Sequence, residues 1–154
     1  MKKLLISESA SESQFKQRPK NESGGGGLCS TANDYFRFCQ MILNGGELDG
    51  ARLLKKETVD LMMSNHLPPS IKNIGINDNR LGIGFGYGFA VRFEESDWGF
   101  GGREGECGWG GAASTHFWIS RKDGLIAIPL RNFMPYEWTL EKELKTLIYD
   151  AMSD

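Results

Sequence analysis

The chain has 154 residues, enough for one ordinary domain with a real core but short of two. With 40% hydrophobic and 25% charged residues it has the profile of a soluble globular protein. A net charge of -2, with Lys and Arg scattered rather than clustered, gives no electrostatic case for a nucleic-acid partner.

The opening MKKLLIS has the charged start of a secretory signal, but its apolar run is only Leu4, Leu5 and Ile6, too short for one. No window approaches a membrane span, so no membrane partner is expected. Cys29, Cys39 and Cys107 form an odd set without metal-like spacing. A disulfide framework, a metal site and a cofactor are therefore not expected, and a reducing, cytoplasmic setting is the default.

Residues 1–22 are polar after Ile6 and read as a solvated lead-in. The four glycines at 24–27 are either a flexible linker or a tight turn feeding a helix, and the helical pattern beyond them favours the turn. Ser30 and Thr31 are candidate caps, Asp34 suits the first turn, and Tyr35, Phe36, Phe38, Cys39, Ile42 and Leu43 form a helical stripe ended by Asn44-Gly45-Gly46. Asp49-Gly50 marks a very short hairpin within residues 47–54. Residues 56–65 predict a second short helix, stopped by Pro68-Pro69, and residues 70–80 a loop.

Residues 85–93, FGYGFAVRF, read as a strand, and residues 94–103 as a polar, Gly-rich excursion. Residues 107–120, CGWGGAASTHFWIS, read as two strands bent near residues 112–114. Arg121-Lys122-Asp123-Gly124 is a hairpin turn, and residues 125–130 the next strand, with Pro129 an awkward guest because proline removes a ladder hydrogen bond. Residues 139–152 predict an amphipathic helix with Leu140, Leu144, Leu147, Ile148 and Ala151 on one face. Helices first, then an antiparallel meander, then a closing helix that covers a sheet face give an α+β fold.

Gly110 and Gly111 behind Trp109 mark either a bulge that bends the strand or a place where a ligand comes close. The run SGGGGLCSTANDYFRFCQMILNGGELDGARLLKKETVDLMMSNHL, then GYGFAV, then GECGWGGAASTHFWIS resembles the serine β-lactamase-like family. That family includes class C β-lactamases, D-alanyl-D-alanine carboxypeptidases related to penicillin-binding proteins, and esterases. The esterase-like branch, with Trp-Gly-Gly in place of Lys-Thr-Gly, is the nearest in flavour. The resemblance covers about residues 22–152, so that residues 23–154 correspond to the C-terminal portion of such a domain.

The resemblance implies a helical domain set against an antiparallel sheet with a C-terminal helix packed on it. Trp109, Gly110 and Gly111 then line the substrate site, and Ala112 offers its backbone N–H to an oxyanion hole. An acyl-transfer site needs such donors where the oxyanion develops, and a strand without side chains at two positions lets a carbonyl approach. A small-molecule acyl substrate (an ester, a D-alanyl peptide or a β-lactam) is the implied partner.

The family's Ser-x-x-Lys nucleophile and its Tyr-x-Asn element lie upstream of the block matched by SGGGG, and only 22 residues precede Ser23. The literal match Ser13-Gln14-Phe15-Lys16 lies in the polar lead-in with no apolar helix after it, and Tyr35 and Tyr87 lack the asparagine two residues on. The expectation is that the nucleophile is missing and the chain is inactive or only trace-active alone. A non-catalytic binding module, or half of a split enzyme, is the alternative. Neither His66 nor His116 has a Ser or Cys motif around it; His116 reads as a packed or surface strand residue, and Cys107 as a small strand residue rather than a nucleophile. Residues 97–102 do not form a phosphate loop. With the family's N-terminal strands absent, the strand at residues 125–130 should leave a bare edge, which points to a homo-oligomer or a complementing N-terminal half.

Overall fold

A computed structural model describes residues 4–71, 74–75, 81–94 and 102–153. The expected loop at residues 70–80 and the excursion at 94–103, with the excluded phosphate loop inside it, fall largely outside the described residues. The chain forms two units, Met1–Thr31 and Ala32–Asp154. In the first, a single 3₁₀ turn, Gln14–Lys16, is the regular element among the described residues. The glycine run makes a turn there, with the Gly25 N–H donating to Ser23 Oγ at 3.2 Å.

In the second unit, helix α1 (Ala32–Leu43) carries Asp34 in its first turn and buries Cys39, Met41 and Ile42. It ends as its Asn-Gly-Gly predicts. The Gly45 N–H donates to the Ile42 carbonyl and the Gly46 N–H to the Met41 carbonyl, with both glycines at positive φ, the paired pattern that satisfies the last carbonyls of a helix. Strands β1 (Glu47–Leu48) and β2 (Ala51–Arg52) form the short hairpin. Its central Asp49 and Gly50 both have positive φ, the twist that suits a two-residue turn. Helix α2 (Lys56–Met62) stops earlier than the proline pair suggests.

The main sheet runs β3 (Ile83–Phe85), β4 (Ala90–Arg92), β5 (Glu106–Gly111), β6 (Thr115–Ser120) and β7 (Leu125–Ala127), in that order and antiparallel throughout. Two expectations are corrected here. Residues 85–93 are not one strand but the end of β3, a turn closed by Gly86 N–H to the Phe89 carbonyl, and β4. The final strand ends at Ala127, two residues short of Pro129. The two strands of CGWGGAASTHFWIS and the Arg121–Gly124 reversal are as expected.

One sheet face carries Val91, Cys107, Phe117 and Ile119 and packs on Cys39, Ile42 and Val59, with Phe89 beside them. Burying each of these larger apolar side chains contributes about 1.5–3 kcal/mol. Tyr35 meets Phe117 edge-on at 5.0 Å. The opposite face is covered by helix α3 (Thr139–Ala151), and here the expected apolar stripe is not the buried one. Glu141, Lys145 and Tyr149 are buried, whereas Leu147 is 65% exposed. The reason lies on the strands beneath. Arg92 and Glu106 point to that face, and Lys145 Nζ donates to Glu106 Oε2 at 2.9 Å while Tyr149 donates to Glu106 Oε1. Arg92 Nε lies 3.8 Å from the same Glu106 carboxylate. Buried charges must be paired, so the helix turns its polar side inward.

Candidate active site

The site expected at residues 109–112 is built from the end of β5, the turn after it and the start of β6. The β5–β6 ladder is regular over six facing pairs, from Glu106↔Ser120 to Gly111↔Thr115, so no bulge accounts for the two glycines. Each has its own neighbour. A Cβ on Gly110 would lie 2.5 Å from Tyr136 Oη and 3.1 Å from His116 Nδ1, so Gly110 is what allows a tyrosine to pack against the strand. A Cβ on Gly111 would meet Thr115 Oγ1 at 2.5 Å.

The other edge of this segment differs. Strand β4 pairs with β5 at Ala90↔Gly108 and Val91↔Cys107. Among the described residues the ladder on that side stops there, short of Trp109, Gly110 and Gly111. The cause is local: at Phe89 the chain leaves the strand for the Gly86–Phe89 turn. Trp109 is 48% exposed, Ala112 is exposed, and the Trp109 ring meets Phe85 edge-on at 5.3 Å.

The turn is held from behind. Ser114 is fully buried with φ 61, an uncommon conformation for a residue with a side chain. Its hydroxyl donates to the Phe133 carbonyl at 2.9 Å and accepts from the Glu137 N–H at 3.1 Å, and its own N–H donates to the Gly111 carbonyl at 2.9 Å. The Phe133 N–H donates to the Ala113 carbonyl at 3.0 Å. The backbone of residues 111–114 is thus clamped to a segment some 20 residues further on. No short-range signal in the sequence announces this, and Ser114, Tyr136 and Glu137 are the supporting residues that sequence reasoning misses.

His116 is buried beside them, facing Gly110 across the ladder. Its Nδ1 lies 2.8 Å from Glu141 Oε2, ion-pair distance but off the line of a hydrogen bond. Its Nε2 lies 3.3 Å from the Glu137 carbonyl. The packed reading of His116 matches this position. His66 sits elsewhere. Its Nε2 is 2.7 Å from the Leu61 carbonyl, so that nitrogen carries the proton, and Ser64 Oγ at 3.3 Å donates its own proton to the same carbonyl. Ser64 and His66 are therefore neighbours without a base-to-nucleophile contact.

Cys107 is 1% exposed, and burial pushes its thiol pKa up to about 12, which leaves it inert as a nucleophile. Ser13 accepts the Phe15 N–H as a helical cap, and Lys16 Nζ donates to the Ser11 carbonyl at 3.3 Å, both on exposed chain. Among the described residues no cluster of metal-ligating side chains occurs and no helix is long and apolar enough to cross a membrane.

Residues 7–147 match the family described as Beta-lactamase. Protein Rv1367c of Mycobacterium tuberculosis (strain ATCC 25618 / H37Rv) is 41% identical over 66 residues, 43% of this chain and 16% of that protein. Among solved structures, the LovD6 mutant of simvastatin synthase (LovD) from Aspergillus terreus is similar with a TM-score of 0.72 and 23% identity, over 93% of this chain and 39% of that one. Unliganded LovD from the same organism gives a TM-score of 0.59 and 24% identity, over 76% and 33% of the two chains. The matches thus span 39% or less of each of these relatives. At such identities the solved structures share the fold.

Proposed function

The chain belongs to the Beta-lactamase family, and on that premise we propose that it carries the oxyanion-side strand of an acyl-transfer site. In this reading a substrate carbonyl lies along the edge of β5 beyond its pairing with β4, with Trp109, Gly110 and Gly111 beside it and the Ala112 N–H as donor. The parent chemistry is acyl-enzyme hydrolysis of an ester, a D-alanyl peptide or a β-lactam, in a reducing, cytoplasmic setting that the three unpaired cysteines suit. One observation carries the reading. Among the described residues the β4 ladder stops at Gly108, beside a turn clamped through Ser114. Donors held rigidly before the charge develops are what stabilise an oxyanion.

The attacking serine is not part of this reading. Ser13 and Lys16 have the right spacing, but the serine oxygen caps a 3₁₀ turn and the lysine donates to a carbonyl. Those contacts favour the second reading, a binding module or the half of a split enzyme that holds a carbonyl ligand without turning it over. Titrating methylphosphonate, a small tetrahedral oxyanion, into isotope-labelled protein tests the site directly. Millimolar ligand shifts the amide resonances of residues 110–112, and Gly111→Val removes the response. If those amides stay fixed while others move, the site is elsewhere.

A further inference from the structure

Three glycines alternate through the stretch Gly84-Phe85-Gly86-Tyr87-Gly88, and two of them are explained by one close approach. A Cβ on Gly84 would lie 2.1 Å from Asn65 Oδ1, and one on Gly86 would lie 2.0 Å from the Met62 carbonyl oxygen. The segment after α2 therefore lies directly on the end of β3. Three hydrogen bonds hold it there: the Tyr87 N–H to the Met62 carbonyl at 3.2 Å, the His66 N–H to the Phe85 carbonyl at 2.8 Å, and the Phe85 N–H to Asn65 Oδ1 at 3.2 Å, an oxygen that also accepts locally from the Leu67 N–H. Polar groups satisfied in this way fix the backbone under every ring that the segment carries.

Tyr87 and His66 are exposed, and Phe85 is half-buried. Tyr87 is 56% exposed and stacks on His66, with centroids 4.4 Å apart and planes within 5°. The His66 ring is anchored by the bond from its Nε2–H to the Leu61 carbonyl. Two residues back along the chain, Phe85 meets the half-exposed Trp109. The two aromatic pairs are thus joined through Phe85, Gly86 and Tyr87 and lead to Trp109, on the part of β5 beyond its pairing with β4. The exposed rings of His66, Tyr87 and Trp109 are joined through the half-buried Phe85, and contiguous aromatic surface beside a site marks ligand contact.

We propose that His66, Tyr87, Phe85 and Trp109 form an aromatic shelf that receives a flat, apolar group of the substrate, an aryl or comparably planar substituent next to the carbonyl held at residues 110–112. The inference rests on the reading of β5 as the oxyanion-side strand and names the substrate class that this strand serves. The gain comes from burying apolar area and from ring stacking on side chains that lose little freedom on binding.

The test compares benzylphosphonate with methylphosphonate on the isotope-labelled chain, in the wild type and in a His66→Ala, Tyr87→Ala variant whose fold is checked by thermal melting. Both substituted side chains are exposed at the surface. The shelf predicts that benzylphosphonate binds about fivefold to tenfold more tightly. It also predicts that the aryl ligand shifts residues 66 and 87 as well as 110–112, and that the variant loses the aryl preference while binding methylphosphonate unchanged. Equal affinities, or a preference intact in the variant, with residues 110–112 still responding, overturn the shelf and leave the strand reading standing. Aryl-dependent shifts at 66 and 87 with silence at 110–112 overturn the strand reading instead. Silence everywhere overturns both.

Discussion

Gly110 shows how much one missing methyl group decides. Its hydrogen occupies the space where a Cβ would strike the Tyr136 hydroxyl, itself 3.3 Å from His116 Nδ1. Gly110→Ala therefore destabilises by about 1–3 kcal/mol, the cost of overpacking, read as a lower midpoint in chemical denaturation. A wild-type midpoint would mean that Tyr136 is free to withdraw. The cysteines give a second prediction. Cys29 is exposed, whereas burial pushes the Cys39 and Cys107 thiols up to about 12. Iodoacetamide at mildly alkaline pH should label Cys29 alone, with Cys39 and Cys107 reacting only after unfolding. Labelling of Cys107 in the folded chain would contradict its burial. Gly110 and Gly111 stood out in the sequence because glycine behind an aromatic is conspicuous in a strand, while their place beside a substrate came from the family resemblance alone. Ser114 and Tyr136 did not, since their roles depend on contacts made across about 20 residues of chain.

Among the elements, α3 departs furthest from its pattern. Periodicity assigns the buried face to Leu140, Leu144, Leu147, Ile148 and Ala151, but the helix is oriented by Glu106 and Arg92, which no helical periodicity can register. Lys145 is the pivot, donating to Glu106 and lying 3.5 Å from Glu141. Lys145→Met leaves a buried carboxylate short of a partner and costs about 3 kcal/mol, whereas Leu147→Ser on the exposed side stays within about 0.5 kcal/mol. Equal effects in thermal or urea unfolding would contradict the orientation of the helix. The strand expected at residues 85–93 failed for a related reason. Its glycines serve the approach of residues 62–65 and the turn, and period-two alternation does not record either.

The β6–β7 hairpin has a pH signature. The Ser120 hydroxyl donates to Asp123 Oδ2 at 2.5 Å and Arg103 to Oδ1 at 2.7 Å, and these bonds hold the Asp123 carboxyl below its ordinary pKa. A depressed folded-state pKa contributes stability above the ordinary carboxylate value of about 3.9, and that stability is lost as pH falls through the folded value. Asp123→Asn should thus lower stability at neutral pH and flatten its decline in acid. Parallel wild-type and variant curves across the acid range would show that Asp123 is not so held.

For the whole molecule, the antiparallel order, the closing helix and the family were legible, because three separated sequence blocks follow the family's order and the strands are punctuated by clear turns. Among the described residues β7 has one neighbour in the sheet, β6. An edge of this kind pairs readily with another chain, and we expect a second copy, or a separate N-terminal half, to cover it. Sedimentation of the purified chain should show association. A strictly monomeric species down to micromolar concentration would count against it.

In the reading proposed above, the chain brings an oxyanion-side strand without the serine that attacks. Intact-mass spectrometry after incubation with a fluorophosphonate tests this most directly. Unmodified mass is the expected result. A stoichiometric adduct would contradict it, and mapping that adduct to Ser13 would make Ser13 the nucleophile.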